Sequence, residues 1–243
     1  PDNLSKLRII NNVAPIETLK TFQNKVPQAS QVSAYGLTEV SGVTSFGSPD
    51  DSLEHRLTTC GKPWPEVEIR ILDPETNEVL KNEERGLIEI KGPHVFSGYL
   101  NDEEATKKAL SDDGWFSTGD IGSLTNDGYI RYHGRIKDML KVGGENVAAL
   151  EIEAYFDSHE KVLISQVIGI EDDHLGEVPA VFIEKKPGEE ISKKELIDFC
   201  KGQISNFKIP RYIVFVNEWP MSSTKVQKFR LKDLDLGKKV FGN

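Results

Sequence analysis

Sulfur is scarce in this chain, with two cysteines and two methionines in 243 residues, and the scarcity excludes two kinds of chemistry. Cys60 and Cys200 stand far apart, without a Cys-x-x-Cys pair or a histidine at ligand spacing. Neither a disulfide framework nor a zinc site is suggested, and a reducing, cytosol-like compartment is the default. Long apolar runs are missing too. Stretches such as Val178–Ile183 are strand-length, far short of the roughly 18–20 residues a membrane span needs. Positive charge is in deficit, 30 Lys and Arg against 39 Asp and Glu, for a formal net charge of −9 and a pI near 5.2. That balance gives no electrostatic hold on a phosphate backbone, so nucleic acid is not an expected partner. The chain opens on Pro1, with neither Met nor a signal-like segment; the expected location is cytoplasmic, with targeting left open.

What remains is ordinary globular material, 37% hydrophobic and 28% charged, long enough to bury a core without covalent staples. Residues 1 to 30 predict a strand over Lys6–Asn11 and a helix from about Ile16 that stops before Pro27, an αβ unit that belongs to something larger. From 31 to 134, β-type runs at Val67–Leu72, Gly86–Lys91 and Tyr129–His133 alternate with Asp-Pro, Gly-Pro and Asn-Asp-Gly punctuation, which predicts antiparallel hairpins. One helix is inserted at Asp102–Leu110, with Asn101 as its expected cap. Beyond Gly134 the pattern changes to helix at Glu151–Phe156, strands at Val162–Ile170 and Val178–Glu184, and a helix at Ser192–Gln203 opened by a Ser192/Glu195 capping box. The expected fold class is α/β, or α+β: residues 1–135 with an antiparallel β subdomain, a boundary at 136–138, and a small mixed α/β domain over 139–243.

Five ordered segments carry the chemistry. They are Tyr35-Gly36-Leu37-Thr38-Glu39; Gly86–Pro93 running on to Ser97-Gly98-Tyr99-Leu100; Gly114-Trp115-Phe116-Ser117-Thr118-Gly119-Asp120; Gly134-Arg135-Ile136-Lys137-Asp138 continuing to Lys141–Val147; and Pro220-Met221-Ser222-Ser223-Thr224-Lys225-Val226-Gln227-Lys228-Phe229. Thr38 and Glu39 offer a hydroxyl and a carboxylate side by side, hard donors suited to Mg²⁺ and phosphate; taken alone they fit equally a helix N-terminus. Asp120 can accept from both hydroxyls of a ribose, or simply bond its own turn. Arg135 offers a planar fork, or a surface ion pair. Gly143-Gly144 lets another chain or ligand approach the backbone. Lys225 supplies a fixed positive charge, or is one of a run of solvated lysines with Lys228 and Lys232.

Together and in this order the segments resemble the adenylate-forming superfamily, in its acyl-CoA synthetase (fatty-acid–CoA ligase) branch, over the C-terminal portion. The resemblance implies an ATP-dependent, AMP-forming ligase that joins a carboxylic acid to coenzyme A, with ATP/AMP, Mg²⁺ and coenzyme A as the small molecules it handles. It implies Lys225, Thr38 and Glu39 as catalytic residues, Lys228 being the alternative lysine, and Glu39 as the metal ligand. Tyr35, Gly36, Thr38, Asp120, Tyr132, Arg135 and Lys225 would bind the nucleotide. Lys137 would be a backbone hinge, and Gly143, Gly144 and Glu145 would face coenzyme A. The superfamily's glycine-rich phosphate loop lies upstream of the first segment and is not found in these 243 residues, so the chain by itself is expected to be inactive. Two other readings stay open: a non-catalytic nucleotide-binding or interaction module, and a carrier-protein-loading or luciferase-type member of the same superfamily.

Overall fold

Alternating apolar residues in Gly86–Lys91 and its neighbours organise the first half of the chain, and a strand apolar on both faces organises the second. The computed structural model describes residues 4–14, 16–223 and 225–242, with Glu17 as backbone only; Thr224 of the fifth segment lies outside the described residues. The chain divides into two compact units, Pro1–Ile136 and Lys137–Asn243.

In the first unit, β1 (Ile9–Asn11), α1 (Ile16–Lys25) and β2 (Ser30–Val32) make a crossover whose strands pair in parallel. The strand expected from Lys6 begins later, because Leu4–Lys6 forms a 3₁₀ turn closed by the Leu7 N–H on the Leu4 carbonyl, at 3.0 Å. Next come β3 (Ala34–Tyr35), β4 (Ser45–Phe46), α2 (Leu53–Thr58) and β5 (Lys62–Pro63), the three strands forming an antiparallel sheet. β6 (Glu68–Leu72), β7 (Gly86–Lys91), β8 (Phe116–Leu124) and β9 (Ile130–Arg135) then pair in chain order as the expected antiparallel meander. Along β7, Gly86, Ile88 and Ile90 are buried while the residues between them are half-buried, the period-two signature of a strand with one core face. Ile88 and Ile90 pack with Tyr35, Val40, Ile71, Phe116 and Ile130. α3 (Glu103–Ala109) interrupts the meander after β7. Its cap is Asp102, whose carboxylate accepts from the Ala105 N–H at 2.9 Å, and not the expected Asn101. Asn101 instead takes a left-handed conformation, φ 56°, which Asn tolerates better than most residues.

The second unit starts with the hairpin β10 (Met139–Val142) and β11 (Glu145–Ala148), followed by α4 (Ala149–Asp157), β12 (Val162–Asp172), β13 (Gly176–Lys185), α5 (Lys193–Cys200), β14 (Tyr212–Phe215), and the two short strands β15 (Met221–Ser222) and β16 (Lys225–Val226). β13 is central, antiparallel to β12 and parallel to β14. Its Val181 and Ile183 enter a cluster with Ile152, Phe156, Leu196 and Ile213. Ala180 and Phe182 enter another with Ile168, Val216 and Leu231. Ser192 caps α5 as expected, accepting from the Glu195 N–H at 3.1 Å. The helix ends at Cys200, before the expected Gln203, and the Glu195 carboxylate pairs with Lys161 at 2.8 Å. Both cysteines are free; burial pushes the Cys60 thiol up to about 11 and the Cys200 thiol up to about 12. No helix among the described residues is long and apolar enough to cross a membrane.

α4 carries two carboxylates one turn apart on its packed side, Glu153 and Asp157. One Asp157 oxygen accepts from the Ser165 N–H at 2.7 Å and the Ser165 hydroxyl at 2.8 Å. Burial nevertheless lifts the Asp157 carboxyl to about 6, with the Glu153 charge adding to the rise. A carboxyl raised in the folded state favours folding below its unfolded pKa of about 3.9, and that contribution is lost as pH rises to about 6. Asp157→Asn keeps an acceptor for Ser165 and removes the charge. It is therefore expected to raise the thermal unfolding midpoint above pH 6, with the gain shrinking to nothing as pH falls from 6 to 4. A variant less stable than the parent at pH 7 would contradict this assignment.

Candidate active site

Strand register brings the first charged pair together. Asp120 on β8 stands directly opposite Arg135 on β9, and the Arg135 Nε lies 3.2 Å from the Asp120 Oδ1, an ion pair without hydrogen-bond alignment. Tyr35 arrives from the separate β3 sheet and donates its hydroxyl to the Asp120 Oδ2 at 2.7 Å. Asp120 is 3% exposed. Burial raises its carboxyl above the usual carboxylate range, against the opposing effects of the Tyr35 hydroxyl and the Arg135 charge. Burial also raises the Tyr35 hydroxyl, and the Asp120 charge raises it further, so it stays a donor at neutral pH. The Asp120 N–H donates to the Thr118 hydroxyl at 3.0 Å, and that hydroxyl donates to the Ile88 carbonyl at 2.8 Å, which fixes the turn before the carboxylate. Tyr132, on β9, stacks on Tyr35 with ring centroids 6.0 Å apart and is itself exposed. A buried carboxylate, a guanidinium and two aromatic rings thus converge from β3, β8 and β9. Such a group can accept sugar hydroxyls, fork a phosphate and offer aromatic surface to a flat ring.

Gly36 follows Tyr35 where backbone meets backbone. A Cβ there would lie 2.2 Å from the Gly42 carbonyl oxygen, so no other residue fits without moving the Gly42–Val43 loop. Just beyond it, Thr38–Val40 forms a 3₁₀ turn. Thr38 is exposed and Glu39 half-buried. The Glu39 carbonyl accepts from the Phe96 N–H at 2.8 Å, and its Oε1 accepts from the Tyr99 hydroxyl at 3.0 Å. Phe96 stacks edge-on against both Tyr99 and the buried Phe116, so Glu39 is aimed by an aromatic column rooted in the core. Its other oxygen has no hydrogen bond among the described residues. A single carboxylate beside a hydroxyl is a donor set that suits Mg²⁺ when substrate phosphates and water complete the shell, and Thr38 and Glu39 fit it. Tyr99 was not singled out from sequence, although it sits inside the second segment; only the fold shows which carboxylate it serves.

The other expected site residues belong to the second unit, or to its border. Lys137 is exposed, in the 3₁₀ turn Ile136–Asp138. Gly143 and Gly144 have φ of 61° and 89° and form the two-residue loop between β10 and β11, the geometry that favours paired positive φ in a tight hairpin. They and Glu145 are exposed. Lys225 opens β16, exposed, with no ion pair among the described residues. Lys228 is committed: its Nζ lies 2.6 Å from the Glu153 Oε1. Glu153 was not picked out from sequence; an acid within the apolar run Ala149–Phe156 was the available signal.

A family described as "AMP-binding enzyme" matches residues 1–100, and one described as "AMP-binding enzyme C-terminal domain" matches residues 151–226. A putative acyl-CoA synthetase, YngI of Bacillus subtilis, is 38% identical over 235 residues, covering 95% of this chain and 43% of that protein. The human mitochondrial medium-chain acyl-CoA ligase ACSF2 is 39% identical over 226 residues, covering 93% of this chain and 37% of the ligase. The chain thus spans about two-fifths of the length of the curated relatives it matches. Among solved structures, o-succinylbenzoate CoA synthetase (MenE) of Bacillus subtilis in complex with the acyl-adenylate intermediate OSB-AMP superposes with TM-score 0.84 at 32% identity, over 96% of this chain and 47% of that one. ATP-bound MatB of Rhodopseudomonas palustris does so with TM-score 0.82 at 33% identity, over 94% and 45%.

The buried Asp120 supplies a test of the site's construction. Tyr35→Phe removes one of the two groups that meet its charge, and a buried acceptor left short of a donor costs about 1–3 kcal/mol. Denaturant unfolding at pH 7 should show a loss of that order, and a loss below about 0.5 kcal/mol, the scale of an ordinary surface substitution, would mean that the hydroxyl is not carrying the carboxylate.

Proposed function

We propose that this chain, which belongs to the AMP-binding enzyme family, is the C-terminal portion of an ATP-dependent, AMP-forming acid–thiol ligase that makes acyl-CoA. The observation that carries the proposal is the buried Asp120 held between Tyr35 and Arg135, with Tyr132 stacked beside it. Its Oδ1 has no hydrogen bond of its own and is covered by an arginine side chain that is itself 43% exposed. A swing of that arginine uncovers an acceptor for ribose hydroxyls and turns the guanidinium toward phosphate. The names of the relatives, acyl-CoA synthetases and ligases, and the ATP-bound and acyl-adenylate-bound neighbours support the same chemistry.

In the first half-reaction the acid's carboxylate attacks the α-phosphorus of ATP and pyrophosphate leaves. Asp120 accepts the ribose hydroxyls, while Tyr35, Gly36 and Tyr132 line the nucleotide. Thr38 and Arg135 donate to the α-phosphate, and Glu39 would hold the metal. Mg²⁺, when bound, neutralises the phosphate charge. Lys225 meets the negative charge that gathers on the transferring phosphoryl oxygens. Lys225 is preferred to Lys228 because Lys228 is spent on Glu153, whereas Lys225 is exposed at the start of β16. In the second half-reaction the coenzyme A thiolate attacks the acyl carbon and AMP leaves. The exposed Gly143-Gly144-Glu145 loop is assigned to the pantetheine arm, and the Lys137 backbone to the hinge between the half-reactions.

Unit charges about 4 Å apart at an effective dielectric near 20 interact by roughly 4 kcal/mol, and each 1.36 kcal/mol of barrier is about tenfold in rate. In the whole enzyme, Lys225→Ala should therefore slow acid-dependent pyrophosphate release by about a thousandfold while sparing thioester formation from supplied acyl-adenylate. Rapid-quench measurement of the two half-reactions checks this, and equal loss of both would remove Lys225 from the first step.

A further inference from the structure

β15 and β16, which place Lys225, pair over only two residue pairs, Met221 with Val226 and Ser222 with Lys225. So short a hairpin has little stability of its own, and its position depends on what holds its flanks. On the upstream side, the Pro220 carbonyl accepts from the Gln227 N–H at 2.7 Å and the Trp219 indole N–H donates to Glu184 at 2.5 Å. On the downstream side, Leu231 is fully buried in the cluster with Phe182, and Lys228 reaches the Glu153 Oε1 at 2.6 Å. That Glu153 oxygen also accepts from the Val167 N–H of β12 at 2.7 Å. The Glu153 side chain is 7% exposed, so its charge is met inside the unit by Lys228 and one amide. Breaking a buried pair is far costlier than losing a surface one, because the remaining charge is stranded.

We infer that Glu153 and Lys228 form a strut that fixes the β15–β16 hairpin to α4 and β12, making both positioning residues for Lys225. Lys228 stands three residues beyond Lys225, so its tether limits where the Lys225 backbone can go. The inference rests on the role proposed above for Lys225, but the ordering of the hairpin is measurable without any catalysis.

The test uses Glu153→Gln, which keeps an acceptor for Val167 and discards the charge, together with Lys228→Met, Lys228→Arg and a double variant that combines Glu153→Gln with Lys228→Met. In the 243-residue chain, hydrogen exchange of the amides over 221–223 and 225–227 should accelerate in Glu153→Gln and in Lys228→Met at least tenfold more than that of the β12 and β13 amides, which report the stability of the whole unit. Lys228→Arg should stay near the parent. In the whole enzyme, the same two substitutions should lower kcat for adenylation by about 10- to 100-fold, leaving KM for the acid and the rate of thioester formation from supplied acyl-adenylate within about twofold. The double variant should lose no more than either single one. If one variant does not fold, the other carries the comparison. Unchanged exchange in a folded variant overturns the strut. Full adenylation by Glu153→Gln beside loss in Lys228→Met also overturns it, and makes Lys228 the catalytic lysine. If the parent enzyme shows no acid-dependent adenylation while exchange accelerates as expected, the strut holds and the ligase proposal is the part that fails.

Discussion

Asp120 is a carboxylate withdrawn from water, and the site is arranged around meeting its charge. A buried anion without partners is too costly to keep, so the fold supplies a hydroxyl from one sheet and a guanidinium from another. The register of β8 on β9 places Arg135 opposite it, and the packing of the small β3 sheet brings Tyr35 within hydrogen-bond distance. None of the three positions does this alone. Gly36 belongs to the same arrangement, because only a residue without Cβ lets the next loop close over the strand that carries Tyr35.

The second unit meets the same physical problem with a different solution. β13 is apolar on both faces, so whatever packs over it must be apolar as well, and α4 complies except at Glu153 and Asp157. Glu153 is matched by a lysine from a distant part of the chain. Asp157 receives only the polar groups of Ser165, which offset part of the rise that burial imposes on its carboxyl. One helix therefore carries an acid that stays paired beside one that is held near its titration range.

Much of this was legible in the sequence, and what was not has a common cause. A β-type run bounded by turn residues located β7 to its last residue, and Ser192 announced α5. Both are local signals, written in neighbours along the chain. The site residues Tyr35, Asp120 and Arg135 were picked out because the segments around them resemble a family, while their convergence depends on strand register for Asp120 and Arg135 and on a side-chain contact between two sheets, 85 residues apart in the chain, for Tyr35 and Asp120. Tyr99 and Glu153 went unnoticed because a tyrosine in a loop and a glutamate in a helix are ordinary; their partners, Glu39 and Lys228, are set by tertiary contact. The displaced cap at Asp102 and the shortened first strand are errors of one to three residues, where two adjacent side chains or two alternative backbone bonds compete closely.

The state of the two sulfurs has a practical consequence. Thiolates, not thiols, react with maleimides and iodoacetamide, and burial holds Cys60 at about 11 and Cys200 at about 12. At neutral pH both native thiols are thus poor nucleophiles. A single cysteine engineered onto the exposed Gly143–Glu145 loop or beside Lys225 could carry a fluorophore or spin label against a nearly silent background, without first stripping the chain of its own cysteines.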